Sequence, residues 1–164
     1  MKALSLSRPW PWAIVHGKRI ENRSRKDGRM PTICRHRGPL LLHAAKSWDV
    51  SALGWMLERG LIDHADHTRL HHRVLHTAGG IFARCTAVGH IEPGGDFSPE
   101  LVARGLDGTE PDALDLRWWE GGYALVLTDV KATKWVECRG MLGLWTPPDD
   151  VLCRLAASGG RDDE

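Results

Sequence analysis

The chain has 164 residues, 42% hydrophobic and 26% charged, enough for one domain with a sizeable core and too short for two comfortable ones. No apolar run approaches the ~18 residues of a membrane span and the N-terminus lacks the apolar stretch of a secretory signal, so a soluble, cytoplasmic protein with no membrane partner is expected. Net charge is only +1, yet residues 1–46 carry eleven Lys and Arg against Glu21 and Asp27, a local +9 that leaves −8 for the remainder and suits a local phosphate footprint.

Residues 2–6 read as a short apolar strand. Ser7 and Pro9 then give a helix start, with proline tolerated in the first turn, and Trp10 and Ile14 lie one turn apart. Gly17 is a natural stop, so this helix is about two turns long and delivers the chain into Lys18–Arg23, which alternates around Ile20 and reads as a strand. A polar loop follows over 24–37. Pro39–Ala45 is a buried strand by its near-continuous apolarity. Val50, Leu53, Met56 and Leu57 recur at helical spacing, with Ser47 or Asp49 as a cap and Gly60 as the stop, and a second helix is expected over about 63–77. Residues 81–91 and 121–130 are long strands, separated by a Gly-, Pro- and Asp-rich excursion over 93–120 with one short helix. Trp135–Cys138 and Leu142–Trp145 add short strands, and Pro147-Pro148-Asp149 opens a last helix. Residues 1–158 are expected to form one domain and 159–164 a flexible acidic tail. Short non-contiguous strands with helices between them suit an α+β fold, a small mixed β-barrel with flanking helices, better than a doubly wound sheet.

The segment Arg8–Ser24 concentrates the chemistry, joining Trp10 and Trp12 to Arg8, Lys18, Arg19 and Arg23, with one carboxylate, Glu21. Aromatic faces stack on bases while Arg and Lys hold phosphates, so the mixture suits a pocket for a nucleotide or for RNA or DNA. Arg23 offers a planar fork for phosphate or a base edge, or a partner for Glu21; Asn22 can read a base edge or serve a turn. Lys18, next to Arg19 and Arg23, can act as a base or nucleophile with Glu21 beside it, or the two can form a structural ion pair. Of eight tryptophans, Trp10, Trp12 and Trp145 are the candidates for stacking, with Trp48, Trp55 and Trp135 as packing. His43 ends an apolar strand and is either a site residue or a satisfied core histidine. The histidine-rich run His64–His76 places His64, His67 and His71 on one helix face, but it lacks an H-E-x-x-H pattern and a clear third ligand, so no metal and no cofactor is expected. Cys34, Cys85, Cys138 and Cys153 are widely spaced with no C-x-x-C pair and are expected to be reduced and mostly buried.

Several elements together resemble the ASCH family of the PUA-like superfamily. These are Leu4-Ser5-Leu6, Pro9-Trp10-Pro11-Trp12-Ala13, Gly17-Lys18-Arg19-Ile20-Glu21-Asn22-Arg23-Ser24, Leu42-His43-Ala44-Ala45-Lys46 and Gly140-Met141-Leu142-Gly143-Leu144-Trp145. The resemblance covers about residues 2–147 and implies a PUA-like β-barrel with a cleft beside the Gly-Lys turn, as in modules that bind RNA or DNA, some of which take a modified base. On it, Arg8, Trp10, Trp12, Lys18, Arg19, Asn22, Arg23, Ser24, His43, Lys46 and Trp145 are the expected nucleic-acid-binding residues. A few ASCH-like members are hydrolases, including one group that deacetylates an acetylated cytidine nucleoside through a lysine, a threonine and a glutamate, and others with ribonuclease activity. Lys18 occupies the place of that lysine, whereas Glu21 stands where that pattern has its threonine. A metal-independent amidohydrolase or ribonuclease with Lys18 and Glu21 as catalytic groups is therefore the alternative to a binding module.

Overall fold

Alternating burial along Lys2–Arg8, with Ala3, Leu4, Leu6 and Arg8 inside, makes this segment the first strand, β1, in the computed structural model, which describes residues 1–23, 27–73, 78–107 and 114–158. Helix α1 (Trp10–Val15) follows at once and buries Ala13 and Ile14. It ends at Gly17, whose φ of 105° is a conformation that favours glycine. The chain then enters β2 (Ile20–Asn22), which pairs antiparallel with Ala124–Val126 of β5 (Ala124–Glu137). Bonds from Arg23 N to Tyr123 O (2.7 Å) and from Leu127 N to Arg19 O (2.8 Å) continue that ladder past both ends, so the strand expected over 18–23 is present around its centre.

A 3₁₀ turn at Thr32–Arg35 interrupts the polar loop, and β3 (Gly38–Trp48) buries Leu40 to Ala44 without a break, as a strand covered on both faces does. β1 pairs parallel with β3, which sets Ser5 opposite His43, and antiparallel with β6 (Leu144–Trp145). Helix α2 (Ala52–Glu58) begins where Asp49 Oδ1 accepts from the backbone and hydroxyl of Ser51 (3.1 and 2.7 Å), and it touches α3 (His64–Arg73). The last turn expected for α3, over 74–77, lies outside the described residues, as does the 159–164 tail. β4 (Gly80–Ile91) leads to a single-turn helix, α4 (Pro99–Val102), and helix α5 (Asp149–Ser158) closes the described chain.

Two sequence expectations are corrected. The strands expected at 121–130 and 135–138 are one strand, β5, which continues through Asp129 in spite of its positive φ of 52°. The strand expected over Leu142–Trp145 keeps only Leu144 and Trp145, because Gly143 bends the chain with a φ of 69°.

Among the described residues the architecture is mixed α+β, with five α-helices and one six-stranded sheet of order β2-β5-β4-β3-β1-β6. The chain divides into two compact units, one of residues 1–16, 40–84 and 131–164, the other of residues 17–39 and 85–130, with β4 and β5 contributing to both. The core of the first gathers Ala3, Leu41, Ile81, Val136, Trp145 and Val151, onto which Leu152 and Leu155 of α5 pack at helical spacing. The second buries Ile20, Ile33, Val88, Leu101, Trp118 and Ala124 to Leu127. No described helix is long and apolar enough to cross a membrane.

Candidate functional site

The second unit holds the charge cluster singled out in the sequence. Lys18 is only 1% exposed, and its Nζ donates to Glu21 Oε2 at 2.6 Å. The other carboxylate oxygen of Glu21 meets Arg23 Nη2 at 2.9 Å. Burial alone would raise the pKa of Glu21, but the charges and hydrogen bonds of Lys18 and Arg23 outweigh it and hold the carboxyl below its usual 4.5. Lys18 therefore sits in a buried, hydrogen-bonded ion pair, with Glu21 shared between two cations. Asn22 uses its side-chain amide on both sides, donating to Trp118 O at 2.8 Å and accepting from Glu120 N at 3.0 Å, so it fastens the 116–120 segment to β2. Arg19 is half-buried beside this cluster in sequence, and Ser24 lies outside the described residues.

In the first unit, Trp10 is half-buried, donates to Asp49 Oδ2 at 3.0 Å and meets Trp55 edge-on at 5.7 Å. Trp12, also half-buried, stacks on His16 one turn later at 4.2 Å. Arg8 is 6% exposed; its Nη2 donates to Ala78 O at 2.9 Å, and burial holds its pKa below the usual value.

His43, Lys46 and Trp145 come together at a different place, a cavity of about 690 Å³. Its walls are Ser5 of β1, His43, Ala45 and Lys46 of β3, Gly79, and the segment from Glu137 to Leu142, all within the first unit. His43 is 2% exposed and bonds through Nε2 to Cys138 O at 3.1 Å. A carbonyl only accepts, so Nε2 carries the proton and Nδ1 of the neutral ring carries the lone pair. Nδ1 is buried and has no hydrogen-bond partner. Desolvation lowers the pKa of His43, the bond to Cys138 raises it and the charge of Arg8 lowers it; the net is a value below the usual 6.5, so the ring is neutral at pH 7. Trp145 is buried behind this wall, where Nε1 donates to Ser5 Oγ at 3.1 Å and the indole meets the imidazole edge-on at 5.6 Å. Lys46 and Arg139 are exposed, as are Met141 and the 99%-exposed Leu142, which give the lip an apolar part.

This arrangement can hold an anion with two cations at the edge. Lys18 is not among the lining residues. Of the wall, sequence reasoning singled out His43 and Lys46, with Trp145 behind them. It missed Ser5, Gly79 and Arg139 as functional residues, and the run from Gly140 to Trp145 was the one signal that pointed to this segment.

The four cysteines are free thiols: Cys34 and Cys85 are buried, Cys138 is half-buried and Cys153 is exposed. Burial pushes the Cys34 thiol up to about 11 and, with the Asp129 and Glu21 charges, the Cys85 thiol up to about 12. Among the described residues no group of three or more His, Cys, Asp or Glu side chains is placed to hold a metal ion. No protein-family model matches this chain, and no curated protein is similar to it.

Proposed function

We propose that the protein binds nucleic acid, RNA or DNA, through an ASCH-type PUA-like fold, and that the His43 cavity receives one of its nucleotides. The observation that carries this reading is a cavity of about 690 Å³ edged by Lys46 and Arg139, with the His43 ring in its wall. The volume lies within the range of small-ligand pockets, roughly 300–1,000 Å³. The cations at the edge suit a phosphodiester, and the basic composition of residues 1–46 adds a wider attraction for the same backbone. The resemblance of residues 2–147 to the ASCH family supports the same partner. A metal-independent hydrolase built on Lys18 and Glu21 has less support, because the Lys18 ammonium already donates to a carboxylate that two cations share.

The test is the affinity for short single-stranded RNA and DNA as a function of salt. Lys46→Ala and Arg139→Ala should each weaken binding and each reduce the slope of log K against log salt by about one. Binding that is independent of salt, or unchanged in both variants, overturns the proposal.

A further inference from the structure

The segment after β5 turns back at a tip made of Met141 and Leu142, between Gly140 and Gly143. Both ends of this tip are fixed. A Cβ on Gly140 would stand 2.3 Å from His43 Cε1 and 2.6 Å from Ser5 Oγ, so the backbone there lies hard against the ring and the hydroxyl. Gly143, at a φ of 69°, then feeds Leu144 and Trp145 into β6 beside β1. The two side chains in between are left in water: Met141 is 61% exposed and Leu142 99%. Single apolar residues on a surface are ordinary, and Val15, Val50 and Val102 are of that kind. Met141 and Leu142 differ, because they are adjacent, stand on a braced turn and form part of the cavity wall, next to the cations Lys46 and Arg139 and the carboxylate of Glu137.

We propose that Met141 and Leu142 form an apolar wedge, which packs against the face of the base next to the nucleotide held in the cavity. The inference rests on the nucleic-acid reading above and adds how the strand is opened at the site. Stacked bases cover one another, so a nucleotide that turns into the cavity uncovers one face of the base beside it. Leu and Met are among the side chains that proteins insert at such unstacked steps. A wedge must also resist being pushed back, and the tip is braced by Gly140 against His43 and Ser5 and by β6 against β1 before any ligand arrives. Lys46 and Arg139 supply the contacts to the phosphodiester backbone, a chemistry that an apolar protein surface seated on the tip would not call for.

Burying an apolar side chain displaces no counterions, whereas a cation on a phosphate does. The wedge therefore acts differently from Lys46 and Arg139. It raises affinity by the same factor at every salt concentration and leaves the slope of log K against log salt unchanged.

The experiment uses the full chain and two single-stranded octamers, one RNA and one DNA, each with adjacent 2-aminopurines at its centre, whose fluorescence rises when stacking is lost. The parent should bind with a rise in fluorescence, and a response with either strand supports the wedge. Leu142→Ser should weaken binding roughly five- to tenfold, since a base face covers only part of the side chain. Its salt slope should match the parent's, and the fluorescence rise at saturation should shrink. Met141→Ser should act in the same direction and less strongly. Leu142→Met keeps an apolar side chain of similar volume and should restore both readouts. Because both residues are exposed, the free variants should melt at the parent's Tm, which separates a lost contact from a folding defect. Unchanged affinity in Leu142→Ser, a salt slope reduced as in Lys46→Ala, or a fluorescence rise that the variant leaves intact overturns the inference while leaving nucleic-acid binding intact. Sedimentation of the parent and Leu142→Ser without nucleic acid tests the other occupant: self-association that the variant loses, with RNA and DNA affinity unaltered, assigns the tip to a protein contact and overturns the wedge. If neither octamer binds at any salt concentration, the nucleic-acid reading falls and this one with it.

Discussion

Glu21→Gln removes one charge and almost no volume, which makes it the sharpest probe of the cluster at β2. Glu21 is 5% exposed and Lys18 1%, and the carboxylate takes a hydrogen bond from Lys18 at 2.6 Å and another from Arg23 at 2.9 Å. In the variant the buried Lys18 ammonium loses the carboxylate at 2.6 Å, a change that typically costs about 3–5 kcal/mol. Arg23, whose side chain is 28% exposed, can turn part of its charge toward water and adds less. For a chain of this length that cost corresponds to a fall in Tm of roughly 6–20 °C. Urea denaturation followed by tryptophan fluorescence at pH 7 measures it. The acid limb gives a second check. Because the folded pKa of Glu21 lies below its ordinary 4.5, its stabilisation is fully present above about pH 4.5 and is lost as the pH falls through the lowered value. The parent should therefore lose stability in acid more steeply than Glu21→Gln. A double variant, Lys18→Met with Glu21→Leu, should recover most of the loss, since no buried ammonium remains. If Glu21→Gln is within about 0.5 kcal/mol of the parent, the pair is not a buried structural ion pair and the argument against a catalytic Lys18 fails.

Gly80→Ala should destabilise by about 1–3 kcal/mol, because its Cβ would stand 2.6 Å from Trp135 Cε2 and 2.8 Å from the Val136 carbonyl, a backbone atom that cannot swing away; chemical denaturation of the variant reads this directly. Thiol labelling of the native protein should reach Cys153 first, while Cys34 and Cys85 should react at the rate of unfolding, which mass spectrometry of a time course distinguishes.

The elements that carry strong patterns were legible in the sequence. β1 and β3 show as apolar runs, α1 is bracketed by Pro9 and Gly17, and α5 follows Pro147-Pro148-Asp149. The sequence reads β5 as two strands, 121–130 and 135–138, because Lys131-Ala132-Thr133-Lys134 between them is mostly polar. In the fold Asp129 takes a positive φ within the strand, and Lys131, Ala132 and Lys134 face solvent. The chemistry of Lys18 was half legible: its spacing from Glu21 shows that a pair can form, but the sequence holds no sign that the pair is nearly sealed from water. The cavity was the least legible part. Gly79, Gly140 and Ser5 are ordinary residue types, and what makes them a site is that β1 and β3 pair with Ser5 opposite His43 while the 137–142 segment folds over that pair. Long-range register of this kind leaves no local pattern.

A nucleotide that enters the cavity at His43 must touch the residues of its wall. The most direct measurement of that contact is a titration of ¹⁵N-labelled protein with a short single-stranded RNA, followed residue by residue in two-dimensional NMR spectra. The backbone amides of Lys46, Gly79 and Cys138 to Leu142, with the His43 ring signals, should shift together along one binding curve that weakens with salt. Shifts confined to residues outside that wall, with the His43 ring unmoved at saturation, would contradict nucleotide entry there.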